Sequence, residues 1–229
     1  MKNHLVAITG CLCLSLMASS LQAGKLVEKS SKGWKYSDKK EAPAKEWNQV
    51  EFDDSEWSDG QAPLGYGDDD IKTKVSFGDD PENKNLSVVF RKTFEVEDAS
   101  AIAGIAGKLV VDDAAVVFIN GKEVYRINLP KKEEIKETTP AIIYKGGEME
   151  RIDHKFAVAS DKLKTGKNVV AIRVHQHNAA SSDLAVDVEL ESIKEKEDFQ
   201  AKAKEAEEED KIATEQIELA AEQIELGGF

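Results

Sequence analysis

An all-β sandwich that ends in one long α-helix is the fold this sequence predicts, and three observations carry the prediction. Within Leu109–Val124, two alternating apolar runs flank Asn120-Gly121, the pair that a two-residue type I′ hairpin turn requires because both of its positions take φ > 0. Other strand-length apolar runs, above all the return strand within Asn168–His177, are separated by clusters of turn formers. After Glu191 the pattern changes: residues 193–226 contain no Gly or Pro and are rich in Glu, Lys and Ala, which is helix composition.

Taken in order, the chain opens with Lys2, an apolar stretch from Leu5 to Met17, and small or polar residues up to Ala23. That is the layout of a cleaved secretory signal, and its apolar run is too short to span a membrane. Ile8-Thr9-Gly10-Cys11 loosely resembles a lipoprotein box, but the apolar run continues past it through Leu16, so no lipid anchor is expected. The mature chain is expected to be secreted or periplasmic. Both cysteines, Cys11 and Cys13, lie in this segment, so the mature chain offers no thiolate nucleophile and no Cys-ligated zinc site.

Residues 25–50 read as a first strand with an irregular approach, carrying Trp34, Tyr36 and Trp47. Phe52–Trp57 and the succession Gly60, Pro63, Gly65 and Gly67 forbid a long regular element there. Val88–Val96 alternates as a strand. Ala99–Gly107 reads as a short helical turn or a loop. Leu109–Val111, Ala115–Ile119 and Lys122–Ile127 are the central strands, and Glu133–Glu150 is a long charged loop. Phe156–Val158 and the turn Lys164–Lys167 lead into Asn168–His175, and Leu184–Leu190 closes the sandwich. The expected division is a signal over 1–23, a sandwich over 24–190 and an acidic amphipathic helix over 191–229.

The tail repeats EQIELAA at 215–221 and EQIELGG at 222–228. At about 100° per residue, Ile217 and Ile224 share one face while Ile212, Leu219 and Leu226 fall nearly opposite. Two narrow stripes make a poor coiled-coil seam, which leaves two readings: one stripe rests on the sandwich, or the other docks a partner protein.

The formal net charge is −13, and residues 191–229 hold 13 acidic against 5 basic residues. Nucleic acid and anionic lipid surfaces both need a basic face, so neither is expected as a partner.

His175-x-His177 is the best metal or acid/base cluster. Residues two apart on a strand point to the same side, so both imidazoles could converge on one ion with Asp183 or His154 as a further ligand. The competing reading is a polar strand end whose rings bond neighbouring loops. Asp53-Asp54, Asp68-Asp69-Asp70, Asp79-Asp80 and Asp112-Asp113 offer clustered oxygens suited to Ca²⁺, although Asp also caps turns. No GxSxG, P-loop or GxGxxG is present, so no catalytic residue is assigned and no enzyme is expected; a metalloenzyme built on the histidine pair is the alternative. Trp34, Trp47, Trp57, Tyr66 and Tyr125 could stack on sugar rings or pack in the sandwich, with Trp57 in its turn-rich loop the best placed for exposure.

Together, Phe52-Asp53-Asp54-Ser55-x-Trp57, APLGYG at 62–67, Phe90-Arg91-x-x-Phe94, DDAAVVFING at 112–121, Arg126-x-Asn128-x-Pro130, LKTGKNVVAIRVHQ at 163–176 and Ser181–Leu184 resemble the galactose-binding-domain-like β-sandwich family. The pattern is similar to the sugar-binding domains of β-galactosidase-class glycoside hydrolases and to modules of large exported bacterial proteins. It spans about residues 34–190, and the tail has no counterpart in it. The resemblance implies a jelly roll with loops gathered at one end and, in many members, a structural Ca²⁺; no cofactor is required. Members bind sugars, cell-surface glycans or lipids, or support a neighbouring catalytic domain, so the fold alone does not select a ligand. The expectation is a secreted, non-catalytic module that recognises a carbohydrate or cell-envelope glycan through Trp57, Tyr66, Arg126, Asn128, His177 and Asp183. The alternative is a scaffold whose residues 191–229 dock a protein.

Overall fold

The computed structural model describes residues 24–226, so the expected signal segment with Cys11 and Cys13, and residues 227–229, lie outside the described residues. Among the described residues, twelve strands form two six-stranded sheets, and one helix comes after them. The strands are β1 (Lys25–Val27), β2 (Lys32–Ser37), β3 (Ser58–Gln61), β4 (Leu64–Tyr66), β5 (Thr73–Lys74), β6 (Ser87–Val96), β7 (Gly104–Asp112), β8 (Ala114–Ile119), β9 (Lys122–Ile127), β10 (His154–Ala159), β11 (Gly166–His175) and β12 (Leu184–Ile193). The helix, α1, is Lys196–Leu226. One sheet runs β10-β7-β12-β4-β5 with β1 also paired to β12; the other runs β3-β2-β6-β11-β8-β9.

Alternation along the strands builds one core between these sheets. Phe90, Val117 and Ile172 of one sheet pack in the same buried cluster as Leu109, Val188 and Leu190 of the other. The β8–β9 hairpin turns at Asn120-Gly121 with φ of 51° and 81°, as the pair requires. Two side-chain amides, the half-buried Asn120 and the buried Asn168, fix that turn to β11. The Asn120 Oδ1 accepts from Val169 N at 3.0 Å, and its Nδ2 donates to Asn168 Oδ1 at 2.8 Å.

Three elements differ from the sequence reading. Residues 25–50 hold two strands rather than one. The helical turn or loop expected over Ala99–Gly107 is confined to Ala99–Ala101, because β7 already begins at Gly104. Glycine normally weakens a strand, but here the missing side chain is filled from outside: a Cβ on Gly107 would lie 2.2 Å from Phe156 Cζ. Finally, β12 continues past Leu190 to Ile193, with Ser192 paired to Ile105.

The outer face of the second sheet is covered by residues 44–57. Buried Arg91 on β6 donates to the carbonyls of Gln49 (2.9 Å) and Phe52 (3.0 Å) and pairs with Asp54 (2.9 Å). Trp47 and Trp57 stack with ring centroids 6.3 Å apart, and Phe52 meets Trp57 edge-on. Trp34 and Trp47 are buried, which settles these two in favour of packing.

Helix α1 lies mainly against β10. Ile217 is 8% exposed and joins the main core, whereas Leu219 is 58% and Leu226 87% exposed. Lys155 on β10 anchors the first half by donating to Glu205 (2.8 Å) and Glu209 (2.7 Å). Among the described residues no helix is long and apolar enough to cross a membrane.

Candidate functional site

The chain leaves one sheet for the other between β7 and β8, and the polar residues gathered at that corner organise one end of the molecule. Asp113, 1% exposed, is their hub. Its Oδ1 accepts from Lys145 N at 2.6 Å and its Oδ2 from His177 N at 2.9 Å, while its carbonyl accepts from Asn128 Nδ2 at 3.2 Å.

These contacts belong to a strap, residues 139–145, laid across the strand ends. Asn128 donates to the Ile143 carbonyl (2.8 Å) and accepts from Ile143 N (3.1 Å), and the Ala141 N–H donates to the Gln176 carbonyl (2.9 Å). His175 and His177 do point to the same side, as strand alternation predicts. What they face is backbone: His175 Nδ1 meets the Thr139 carbonyl at 2.8 Å and His177 Nδ1 the Ala141 carbonyl at 3.1 Å. A carbonyl only accepts, so both Nδ1 atoms carry hydrogen.

The expected convergence of His175, His177 and Asp183 therefore gives way to a different grouping. Among the described residues one cluster could hold a metal ion, formed by Asp68, Glu150 and Asp183, whose oxygens lie within 4.8 Å of one another. It takes Asp183 but no histidine. His154 faces the core instead, with Nε2 3.3 Å from the buried Lys145 Nζ, which also donates to the Val111 carbonyl at 2.8 Å.

Burial sets the charge states here. It pushes the Asp112 carboxyl up to about 9, with Asp113, Asp183 and Glu150 adding to the effect. It lowers the Lys145 ammonium to about 8 and holds the His154 ring down at about 3, where Lys145 also contributes. Asp68 and Glu150 are raised too, first by burial and then by Asp183. The carboxylates at this end thus add to one another's shifts, with Lys145 and Arg151 opposing them.

The six residues expected to contact a sugar are not gathered at one place. Tyr66 and Asn128 are buried, at 2% and 3% exposed; the Tyr66 hydroxyl meets Gln176 Nε2, and Asn128 is spent on the strap. His177 and Asp183 are half-buried near the corner. Trp57 is half-buried in the aromatic group on the opposite sheet. Arg126 sits at a groove of about 750 Å³ between β9 and α1, forked onto Glu123 at 2.6 and 2.8 Å. Asn128 lines that groove as well. A second groove of about 580 Å³ adjoins it, sharing Tyr125, Asp210 and Ile217 and adding Tyr144 and Ile152.

Lys145, Glu150 and the strap fall within the stretch read only as a charged loop, where no local spacing signals them. Asp112-Asp113 and Asp68 do stand out as acidic turn groups, but their partners come from distant strands.

No protein-family model matches the chain, and no curated protein does. Solved structures do. The chain is similar to Bacteroides uniformis beta-glucuronidase 2 covalently bound to cyclophellitol-6-carboxylate aziridine, at 17% identity and TM-score 0.50, covering 75% of this chain and 18% of that one. A further Bacteroides uniformis beta-glucuronidase structure gives the same figures. A beta-glycosidase from Bacteroides vulgatus is 18% identical with TM-score 0.45, over 69% of this chain and 19% of that one. The chain thus spans less than a fifth of the length of these enzymes. What it shares with the two Bacteroides uniformis structures is the fold of one portion.

Proposed function

We propose that this chain is a secreted, non-catalytic β-sandwich module of the jelly-roll, galactose-binding type that recognises a carbohydrate or cell-envelope glycan. The observation that carries the reading is the pair of adjoining grooves beside α1. Tyr144 (52% exposed) offers an aromatic face, and Arg126, Glu123, Lys131 and Glu218 offer donors and acceptors in the adjoining half. Stacking combined with planar hydrogen-bonding groups is what sugar sites use. The likeness to one portion of a beta-glucuronidase supports a sugar-related setting. The test is a glycan array with wild type, Tyr144→Ala, Arg126→Ala and Trp57→Ala. Selective binding lost in Tyr144→Ala and Arg126→Ala supports the grooves, and loss only in Trp57→Ala moves the site to the opposite sheet. Silence of a folded wild type on a broad array refutes the glycan reading.

The exposed stripe of α1, with Ile212 at 56% and Leu219 at 58%, favours a second reading, in which the sandwich is a scaffold and the tail docks a protein. Pull-down with wild type and Leu219→Asp separates the two.

A further inference from the structure

The apolar one of the two grooves beside α1 has features that a glycan leaves unused. Among the described residues eight large apolar side chains are exposed, and five of them line this one groove of about 580 Å³: Tyr144, Met149 and Ile152 on one wall, Ile212 and Ile224 of α1 on the other. Apolar exposure gathered at one place marks a binding surface, and a groove of this size suits a small molecule. Met149, Ile152, Ile212 and Ile224 offer a sugar hydroxyl no strong hydrogen-bonding group. What they can cover is an apolar body.

Asp210 supplies an independent observation. It lines both grooves together with Tyr125, and its Oδ1 is buried with no hydrogen-bond partner, a costly state for a carboxylate. The other two acids lining the apolar groove are each paired, Glu209 with Lys155 at 2.7 Å and Asp153 with Lys29. Lys145 lines it too, but is buried and donates to the Val111 carbonyl at 2.8 Å, while burial keeps the His154 ring neutral. With the partners Lys29 and Glu205 included, the groove carries four acids and three bases. The one acid in excess is Asp210, which no basic side chain pairs with among the described residues. Burial first, and then Asp210, pushes the Tyr125 phenol up, so Tyr125 stays neutral and leaves that charge in place.

A metal ion would need more oxygen ligands than this one carboxylate. An ammonium answers both the charge and the unpartnered oxygen, since its N–H groups only donate, and the rings of Tyr125 and Tyr144 in the same groove suit an organic cation. We infer that the groove binds a small organic amine, whose ammonium pairs with Asp210 and whose alkyl or aryl body lies among Tyr144, Met149, Ile152, Ile212 and Ile224. This goes beyond the glycan reading and does not rest on it.

Fluorescence titration of the purified protein with dansylcadaverine, an aromatic sulfonamide that carries a primary ammonium on an alkyl chain, tests this beside its N-acetylated, uncharged form. The expected result is one saturable site per chain with blue-shifted emission, and about tenfold weaker binding of the N-acetylated probe. Asp210→Asn should bind both probes alike, and Ile152→Ser should weaken both by about threefold or more. Glu222→Gln, an exposed acid of the same helix outside the groove, should bind as wild type. No saturable binding at submillimolar dansylcadaverine overturns the inference. So does equal affinity of wild type for the two probes, unchanged affinity in Ile152→Ser, or a preference for the amine that persists in Asp210→Asn. Folding of the variants is checked by circular dichroism; should Asp210→Asn unfold, the two probes on wild type and Ile152→Ser still decide. No glycan enters the titration, so its outcome is separate from that of the array.

Discussion

Acid should destabilise this protein through one identifiable imidazole. His175 is fully buried, its Nδ1–H is used on the Thr139 carbonyl, and Nε2 has no partner. A proton can enter only at Nε2, where it would leave a buried N–H without an acceptor. Burial therefore holds the ring down at about 3; the Thr139 bond opposes this and Arg173 reinforces it. Because the folded value is depressed, the unfolded chain takes up the proton first, and stability present above about 6.5 is lost as pH falls toward 3. At pH 5, about 1.5 below the unfolded value, the loss is about 2 kcal/mol, at roughly 1.4 kcal/mol per pH step. His154 pushes the same way and Asp112 the opposite way, so the total slope is not diagnostic. The comparison with His175→Asn is, since asparagine keeps a donor near the Nδ1 position and removes the titration. Urea unfolding of both proteins at about pH 7.5 and about pH 5, in chelator, should give a pH-induced loss about 2 kcal/mol larger in wild type. Equal losses within about 0.5 kcal/mol would refute the reasoning, whatever the absolute stabilities.

Packing leads to two further expected outcomes. Ile217→Ala should cost about 2–4 kcal/mol because a core side chain is truncated, whereas Leu219→Ala, two residues on, should stay within about 0.5 kcal/mol; denaturant midpoints that move equally would mean the wrong stripe is docked. Arg91→Lys keeps the charge but cannot serve Gln49, Phe52 and Asp54 together, and should cost about 1–3 kcal/mol. Acrylamide quenching of Trp47 and Trp57 should rise with it, and unchanged quenching would show that Arg91 does not hold residues 44–57.

How much of this was legible in the sequence depended on the range of the causes. The Asn120-Gly121 turn and the Gly-free tail are local requirements of the backbone; the turn is found at its pair and the helix over Lys196–Leu226, three residues later than the composition begins because β12 runs on to Ile193. The start of β7 was hidden because its glycines are explained by Phe156, Phe199 and the Val158 carbonyl, which reach them from other elements. The histidine pair was half legible: its spacing gives the common direction of the rings, but nothing local says that carbonyls of a strap lie opposite. Asp183 could be singled out as a candidate ligand, yet its companions Asp68 and Glu150 are set by strand pairing and by a turn in a stretch with no periodicity.

Much of the strap's attachment runs through its peptide groups: Asp113, Asn128, His175, Gln176 and His177 all engage N–H or C=O groups between Thr139 and Lys145, while the inward side chains of Ala141, Ile143 and Lys145 are buried. The outward positions of the segment take no part in this attachment. Ile142 and Tyr144, outward and at least a third exposed, can be exchanged without loosening the attachment. A single rigid frame can in this way carry many different outward faces, each free to drift toward its own ligand while the five holding residues stay fixed.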